Sequence, residues 1–191
     1  MDEIEIQLQE SINTKKELLA TQLATIQKIA RITTDAFRKN HRLYLIGNGG
    51  SAADAQHIAG ELIGRFKINR RPLPAIALST DTSVITALAN DFGYDTCFAR
   101  QIEALVTTGD VVFALSTSGN SKGILNAVHI ARERGAITVG FTGKDGGLLK
   151  DAVDVCLQVP SDNTPRIQEC HITVGHVVCF MVEKELFGNK V

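Results

Sequence analysis

The 191-residue chain lacks the cysteine spacing of a thiolate metal site: its four cysteines, Cys97, Cys156, Cys170 and Cys179, form no CxxC pair. Structural disulfides and a zinc–thiolate centre are therefore not expected, and reduced thiols in a cytoplasm are the default reading. Charge of one sign is also lacking. The formal net charge of −1 leaves no electrostatic footprint for general nucleic-acid binding. No apolar run approaches a membrane span. The opening MDEIEIQLQES is acidic and polar, unlike a secretory leader. There is no internal repeat, no low-complexity stretch and no nucleotide P-loop. What remains, with 44% hydrophobic and 21% charged residues, is an ordinary globular composition for a single domain or a domain with an added helix.

Residues 3–39 contain neither glycine nor proline, and Ile4, Leu8, Ile12, Leu19, Leu23, Ile26 and Ala30 recur at roughly helical spacing. The segment reads as one long amphipathic helix or two shorter ones. Ahead of the first strand it has little sheet to cover, so packing against another subunit is the expected use of its apolar face.

Strand and helix patterns then alternate. Strands are expected at LYLIG (43–47), PAIALS (74–79), DVVFALS (110–116), AITVGFT (136–142) and DVCLQVP (154–160). Helices are expected at 51–64, near 81–90 and 94–105, at 121–134, near 147–152, and from Pro165 to Phe187. Pro165 suits a first helical turn and Gly188 a helix end. This order predicts a parallel sheet covered on both faces, with ligands beyond the carboxyl ends of its strands.

Two of those ends carry unusual chemistry. In LYLIGNGGS an apolar strand runs into Gly47, Asn48, Gly49, Gly50 and Ser51, with Ser51 placed to cap the following helix. Such a helix start attracts phosphate. The plain alternative is a tight turn without ligand. The loose dinucleotide fingerprint is a poor match, because its acidic partner is missing at the next strand end and Asp81 lies too far along. The second end is STSGNS, where Ser116, Thr117, Ser118 and Ser121 bring hydroxyls to another helix start.

His57 and Glu61 lie four apart on one helical face. They read either as a surface pair or as metal ligands. In RIQECHITVGH, Gln168 and His176 fall about 80° apart around a helix and can flank one site. His171 reads equally as a core histidine. Arg65, Lys67, Arg70 and Arg71 read as a solvated loop or as an anion contact, with Arg65 best placed for the latter. Asn90, Asp91 and Gly93 read as a turn or as a sugar-hydroxyl site.

Together, GNGGSAADAQHIAGELIGRF, ANDFGYD, STSGNS and RIQECHITVGH resemble the sugar isomerase (SIS) domain family, and within it the phosphoheptose isomerases. The resemblance runs from residue 47 to 176 in the expected order, and the long N-terminal helix also fits. It implies an α/β fold: a doubly wound, five-stranded parallel sheet in flavodoxin-like order with long N-terminal and C-terminal helices. Residues 1–40 would be an oligomerisation helix and 41–191 the SIS unit. The implied reaction interconverts sedoheptulose 7-phosphate and D-glycero-D-manno-heptose 7-phosphate, the entry to bacterial heptose synthesis for lipopolysaccharide. The implied assembly is a cytoplasmic homotetramer that binds neither nucleic acid nor membrane. One zinc per subunit is implied at His57, Glu61, Gln168 and His176, with Glu61 and His176 as the catalytic pair. Substrate contacts are implied at Asn48, Gly49, Gly50, Glu61, Asn90, Asp91, Ser116, Thr117, Ser118, Ser121 and Gln168. Other proteins of this fold are non-catalytic: an adaptor for the replication initiator, or sugar-phosphate sensors. Retention of Glu61 and His176 favours the enzyme.

Overall fold

The computed structural model describes residues 2–188. Its first element, α1 (Glu3–Arg38), is a single helix of 36 residues, capped by the Asp2 side chain. The chain then runs through β1 (Leu43–Gly47), α2 (Gly50–Ile63), β2 (Ala75–Ala77) and α3 (Thr82–Phe92). A 3₁₀ turn (Tyr94–Thr96) leads into α4 (Cys97–Leu105), β3 (Val111–Leu115) and α5 (Lys122–Glu133). The last elements are β4 (Ile137–Thr142), α6 (Leu149–Ala152), β5 (Val155–Gln158) and α7 (Thr164–Phe187).

The five strands form one sheet in the order β2-β1-β3-β4-β5. Every pairing is parallel. The doubly wound sheet expected from the alternation is thus present, with its long helices at both ends of the chain. Strand β2, an edge strand paired only with β1, is shorter than the PAIALS run: Pro74 has no N–H to donate at its start, and beyond its end Leu78 N still donates to Leu45 O at 3.0 Å.

Alternation within the buried strands splits the core into two layers. Leu43, Leu45, Val111, Phe113, Leu115, Val139 and Phe141 pack with residues of α1, α2 and α7. Tyr44, Ile46, Val112 and Ala114 pack with residues of α4, α5 and α6. The C-terminal half of α1 belongs to the first layer through Ile29, Ala30, Ala36 and Phe37. Towards its N-terminal end the helix leaves Ile4, Leu8, Ile12, Leu19 and Leu23 exposed. Cys97, Cys170 and Cys179 are buried and all four cysteines are free. Among the described residues, no helix is long and apolar enough to cross a membrane.

Candidate active site

The chain leaves β1 for β2 on one side, while β3 lies on the other side of β1. The sheet therefore changes direction at β1 and β3, and a crevice opens beyond their carboxyl ends. In register, Gly47 sits opposite Leu115, so the Asn48 loop and the Ser116 loop start side by side.

Entry into α2 differs from the expected serine cap. Gly49 is the N-cap, with φ 53°, and Ser51 lies buried inside the first turn. A left-handed φ favours glycine. It turns the chain so tightly that the amide of Ser51 already donates to Asn48 O at 3.0 Å. Gly50 lets another group come close: a Cβ there would meet Gln168 Nε2 of α7 at 2.5 Å, so the Gln168 side chain would have to move aside. The α2 N-terminus and α7 are thus in close contact through the Gln168 amide.

Further along the same two helices, three side chains converge. His57 Nε2 stands 2.9 Å from His176 Nε2 and 3.2 Å from Glu61 Oε1. The ligand atoms of His57, Glu61 and His176 all lie within 4.8 Å of one another. Two imidazoles and a carboxylate are a donor set for a borderline divalent ion, and the group can hold a metal. His57 is half exposed, so the cluster opens to solvent, whereas the Glu61 side chain is 25% exposed.

The hydroxyl-rich loop sits beside Asn48. Asn48 Nδ2 donates to Ser121 Oγ at 3.0 Å, and Ser121 is the N-cap residue of α5. Ser116 is buried, Thr117 half-buried and Ser118 exposed. The Ser118 hydroxyl accepts from the Asn120 amide at 3.2 Å. Unpaired amides of a helix start, together with these hydroxyls, form a cradle of the kind that binds a phosphate.

Comparison with known proteins decides the family. A SIS domain family model matches residues 8–143. The phosphoheptose isomerase of Roseiflexus sp. (strain RS-1) is 55% identical over 187 residues, covering 98% of this chain and 93% of that protein. A solved phosphoheptose isomerase from Neisseria gonorrhoeae superposes with a TM-score of 0.90 at 38% identity, over 95% of this chain and 97% of that one. One from Francisella tularensis gives 0.93 at 34% identity, over 96% and 97%. The chain belongs to the phosphoheptose isomerases.

In this phosphoheptose isomerase, a SIS domain enzyme of carbohydrate metabolism, the residues expected at the site fall into three groups. His57, Glu61 and His176 are brought together. Asn48 and Ser121 are hydrogen-bonded, and Gln168 lies over Gly50. Asn90 and Asp91, at the end of α3, are exposed and bond to each other at 2.8 Å. His171 is a core histidine with no exposure. Its Nε2 pairs with Thr142 O at 3.2 Å. Asp81 is the N-cap of α3, its side chain accepting from Val84 N.

Three residues of the site were not read from the sequence. The Phe66 ring stacks on the His176 imidazole, with centroids 5.5 Å apart. The Tyr94 hydroxyl donates to Asn48 Oδ1 at 2.7 Å. Asp54, one turn before His57, has an Oδ2 that is buried with no hydrogen-bond partner. Burial pushes its carboxyl up from 3.8 to about 6, against the pull of His57. The one available signal was the i, i+3 spacing of Asp54 and His57.

Proposed function

We propose that this phosphoheptose isomerase interconverts sedoheptulose 7-phosphate and D-glycero-D-manno-heptose 7-phosphate through a cis-enediol, as the first step of heptose synthesis. The observation that carries the reading is the convergence of Glu61 and His176, from two separate helices, beside a hydroxyl-rich cradle. An aldose–ketose exchange moves one proton between adjacent carbons and another between their oxygens. The carbon acid is weak, so the reaction needs a placed base and a second proton carrier.

Glu61 takes the proton from C1 of the ketose and returns it at C2. Its Oε1 faces His57 at 3.2 Å, which leaves Oε2 as the oxygen that carries the proton. His176 moves the protons at O1 and O2. Ser116, Thr117, Ser118 and Ser121 hold the distant phosphate, with Asn48, Gly49 and Gly50 completing the floor and Asn90, Asp91 and Gln168 meeting sugar hydroxyls. Binding energy from that remote group then orients C1 and C2. His57, Glu61, Gln168 and His176 would hold one zinc per subunit, and a bound zinc supplies polarisation of the sugar oxygens.

The same reading includes a homotetramer. The exposed Ile4, Leu8, Leu19 and Leu23 of α1, and a groove of about 540 Å³ between α1 and α7, supply an apolar surface for a second copy. Residues 1–40 then serve assembly and 41–191 catalysis, in a cytoplasm that keeps the thiols reduced.

The test is direct. Purified protein of known metal content is incubated with sedoheptulose 7-phosphate in deuterated water and followed by NMR. Aldose formation is expected, with deuterium at C2 to the extent that the proton held on Glu61 exchanges with solvent before its return. A folded, metal-replete protein that forms no aldose would refute the enzyme and favour a non-catalytic role.

A further inference from the structure

Arg70 and Glu183 form an ion pair whose side chains are only 0% and 3% exposed. Burying two opposite charges is costly, and a hydrophobic pair of similar size is frequently as stable. Stability alone is thus a poor explanation for the pair, and its other contacts point to the active site.

Every polar atom of the pair is engaged. Arg70 Nε donates to Glu183 Oε1 at 2.9 Å. Arg70 Nη2 donates to the Glu61 carbonyl at 2.9 Å, and Nη1 to the Leu62 carbonyl at 2.7 Å. Those carbonyls belong to the last turn of α2, where helical partners run out and a cation is favoured. No basic residue of α2 itself stands in that turn. Arg70 therefore grips the end of the helix that carries His57 and Glu61.

Glu183 organises the other half. Its carboxylate accepts from the backbone amides of Phe66 at 2.8 Å, Lys67 at 2.8 Å and Ile68 at 3.3 Å. Burial alone would raise the Glu183 carboxyl, but these three amides and Arg70 outweigh it and hold it below its ordinary value. The segment after α2 is thus wrapped around one carboxylate. That wrapping presents the Phe66 ring to His176, 5.5 Å between centroids and 23° from parallel. Glu183 and His176 lie seven residues, about two turns, apart on α7 and so on one face of it.

We propose that Arg70 and Glu183 are positioning residues for the catalytic pair: they fold the segment after α2 into a clip that seats Phe66 on His176 and fixes the end of the Glu61 helix. The proposal rests on the isomerase reading, and it deepens it. The clip gives the imidazole a hydrophobic backing on one side, so that His176 keeps one orientation towards Glu61. A shift of about 1 Å in such a pair costs up to about a hundredfold in rate.

The experiment uses the full chain, metal-free for NMR and metal-replete for kinetics, as wild type, Phe66→Leu, Arg70→Lys and Glu183→Gln. The His176 ring protons are assigned by their loss in His176→Asn. In the wild type the stacked Phe66 ring moves them upfield, and Phe66→Leu abolishes that shift. The clip requires Glu183→Gln and Arg70→Lys, which replace no atom in contact with the imidazole, to abolish it too. In all three, kcat falls roughly ten- to a hundredfold while KM stays within about threefold, because the phosphate cradle is untouched. Folded Glu183→Gln or Arg70→Lys protein with wild-type His176 shifts and wild-type kcat overturns the proposal. If Glu183→Gln does not fold, Arg70→Lys and Phe66→Leu decide, and a wild-type kcat in Phe66→Leu overturns it equally. A wild type without isomerase activity refutes the functional reading alone, since the NMR shifts still answer for the clip.

Discussion

His57 and His176 are 119 residues apart in the sequence and bring their Nε2 atoms within 2.9 Å of each other. With Glu61, whose ligand atom lies within 4.8 Å of both, they form a group that could hold a metal ion. Wild-type protein dialysed against zinc buffer should retain stoichiometric zinc by elemental analysis, and His57→Ala should lose most of it. Equal zinc in both proteins would place the ion elsewhere.

On the proposed mechanism, Glu61 is the residue whose loss separates binding from chemistry. Glu61→Gln keeps the size of the side chain and its place on α2 but cannot accept a proton from carbon. A general base contributes roughly 10²–10⁴-fold, so kcat should fall by that factor while sedoheptulose 7-phosphate binds with nearly unchanged affinity by calorimetry. Turnover near that of the wild type would remove Glu61 from the role of base.

The loop proposed to hold the phosphate is polarised from behind. Tyr94 donates to Asn48 Oδ1 at 2.7 Å, which turns Asn48 Nδ2 towards Ser121 Oγ at 3.0 Å. With its oxygen accepting from Asn48, the Ser121 hydroxyl is left to donate outward. Ser121→Ala should raise KM for the sugar phosphate about tenfold, in line with loss of a hydrogen bond to a charged group. Tyr94→Phe should give a smaller rise in the same direction. A KM unaffected by Ser121→Ala would move the phosphate out of this loop.

The sheet was legible because five apolar runs and the helical periodicities between them are local signals. The cradle was legible because glycines and hydroxyls follow β1 and β3 directly. His57 with Glu61 could be paired by helical spacing alone, whereas their union with His176 depended on how α2 packs on α7, which periodicity does not encode. The cap of α2 was misread, since Ser51 is the preferred residue type but the left-handed turn at Gly49 starts the helix earlier. Phe66, Tyr94 and the Arg70–Glu183 pair were hidden for a common reason. Each acts through a partner distant in sequence, and Arg70 looked like one more cation of a solvated loop, although its side chain is fully buried.

His171 shows how a residue of the RIQECHITVGH segment can govern stability rather than catalysis. The ring has no exposure and lies edge-on to Phe141, with centroids 5.7 Å apart. Its Nδ1 is buried without a partner. Burial therefore lowers its pKa from 6.5 to about 4, although the hydrogen bond to the Thr142 carbonyl pulls it the other way. In the unfolded chain the ring takes up a proton near 6.5, in the folded chain only near 4. Between those values the unfolded state binds more protons, so folding loses stability as the pH falls from 6.5 towards 4. Above that window the contribution is fully present. The lowered pKa corresponds to about 3 kcal/mol across the window. His171→Leu removes the titrating ring, and the Thr142 carbonyl still accepts from Val159 N at 3.0 Å. Urea unfolding at pH 7.5 and pH 4.5 should show a steep acid loss in the wild type and a shallower one in His171→Leu, since the two chains share every other titratable group. Parallel losses in the two proteins would show that the imidazole is not the group that titrates.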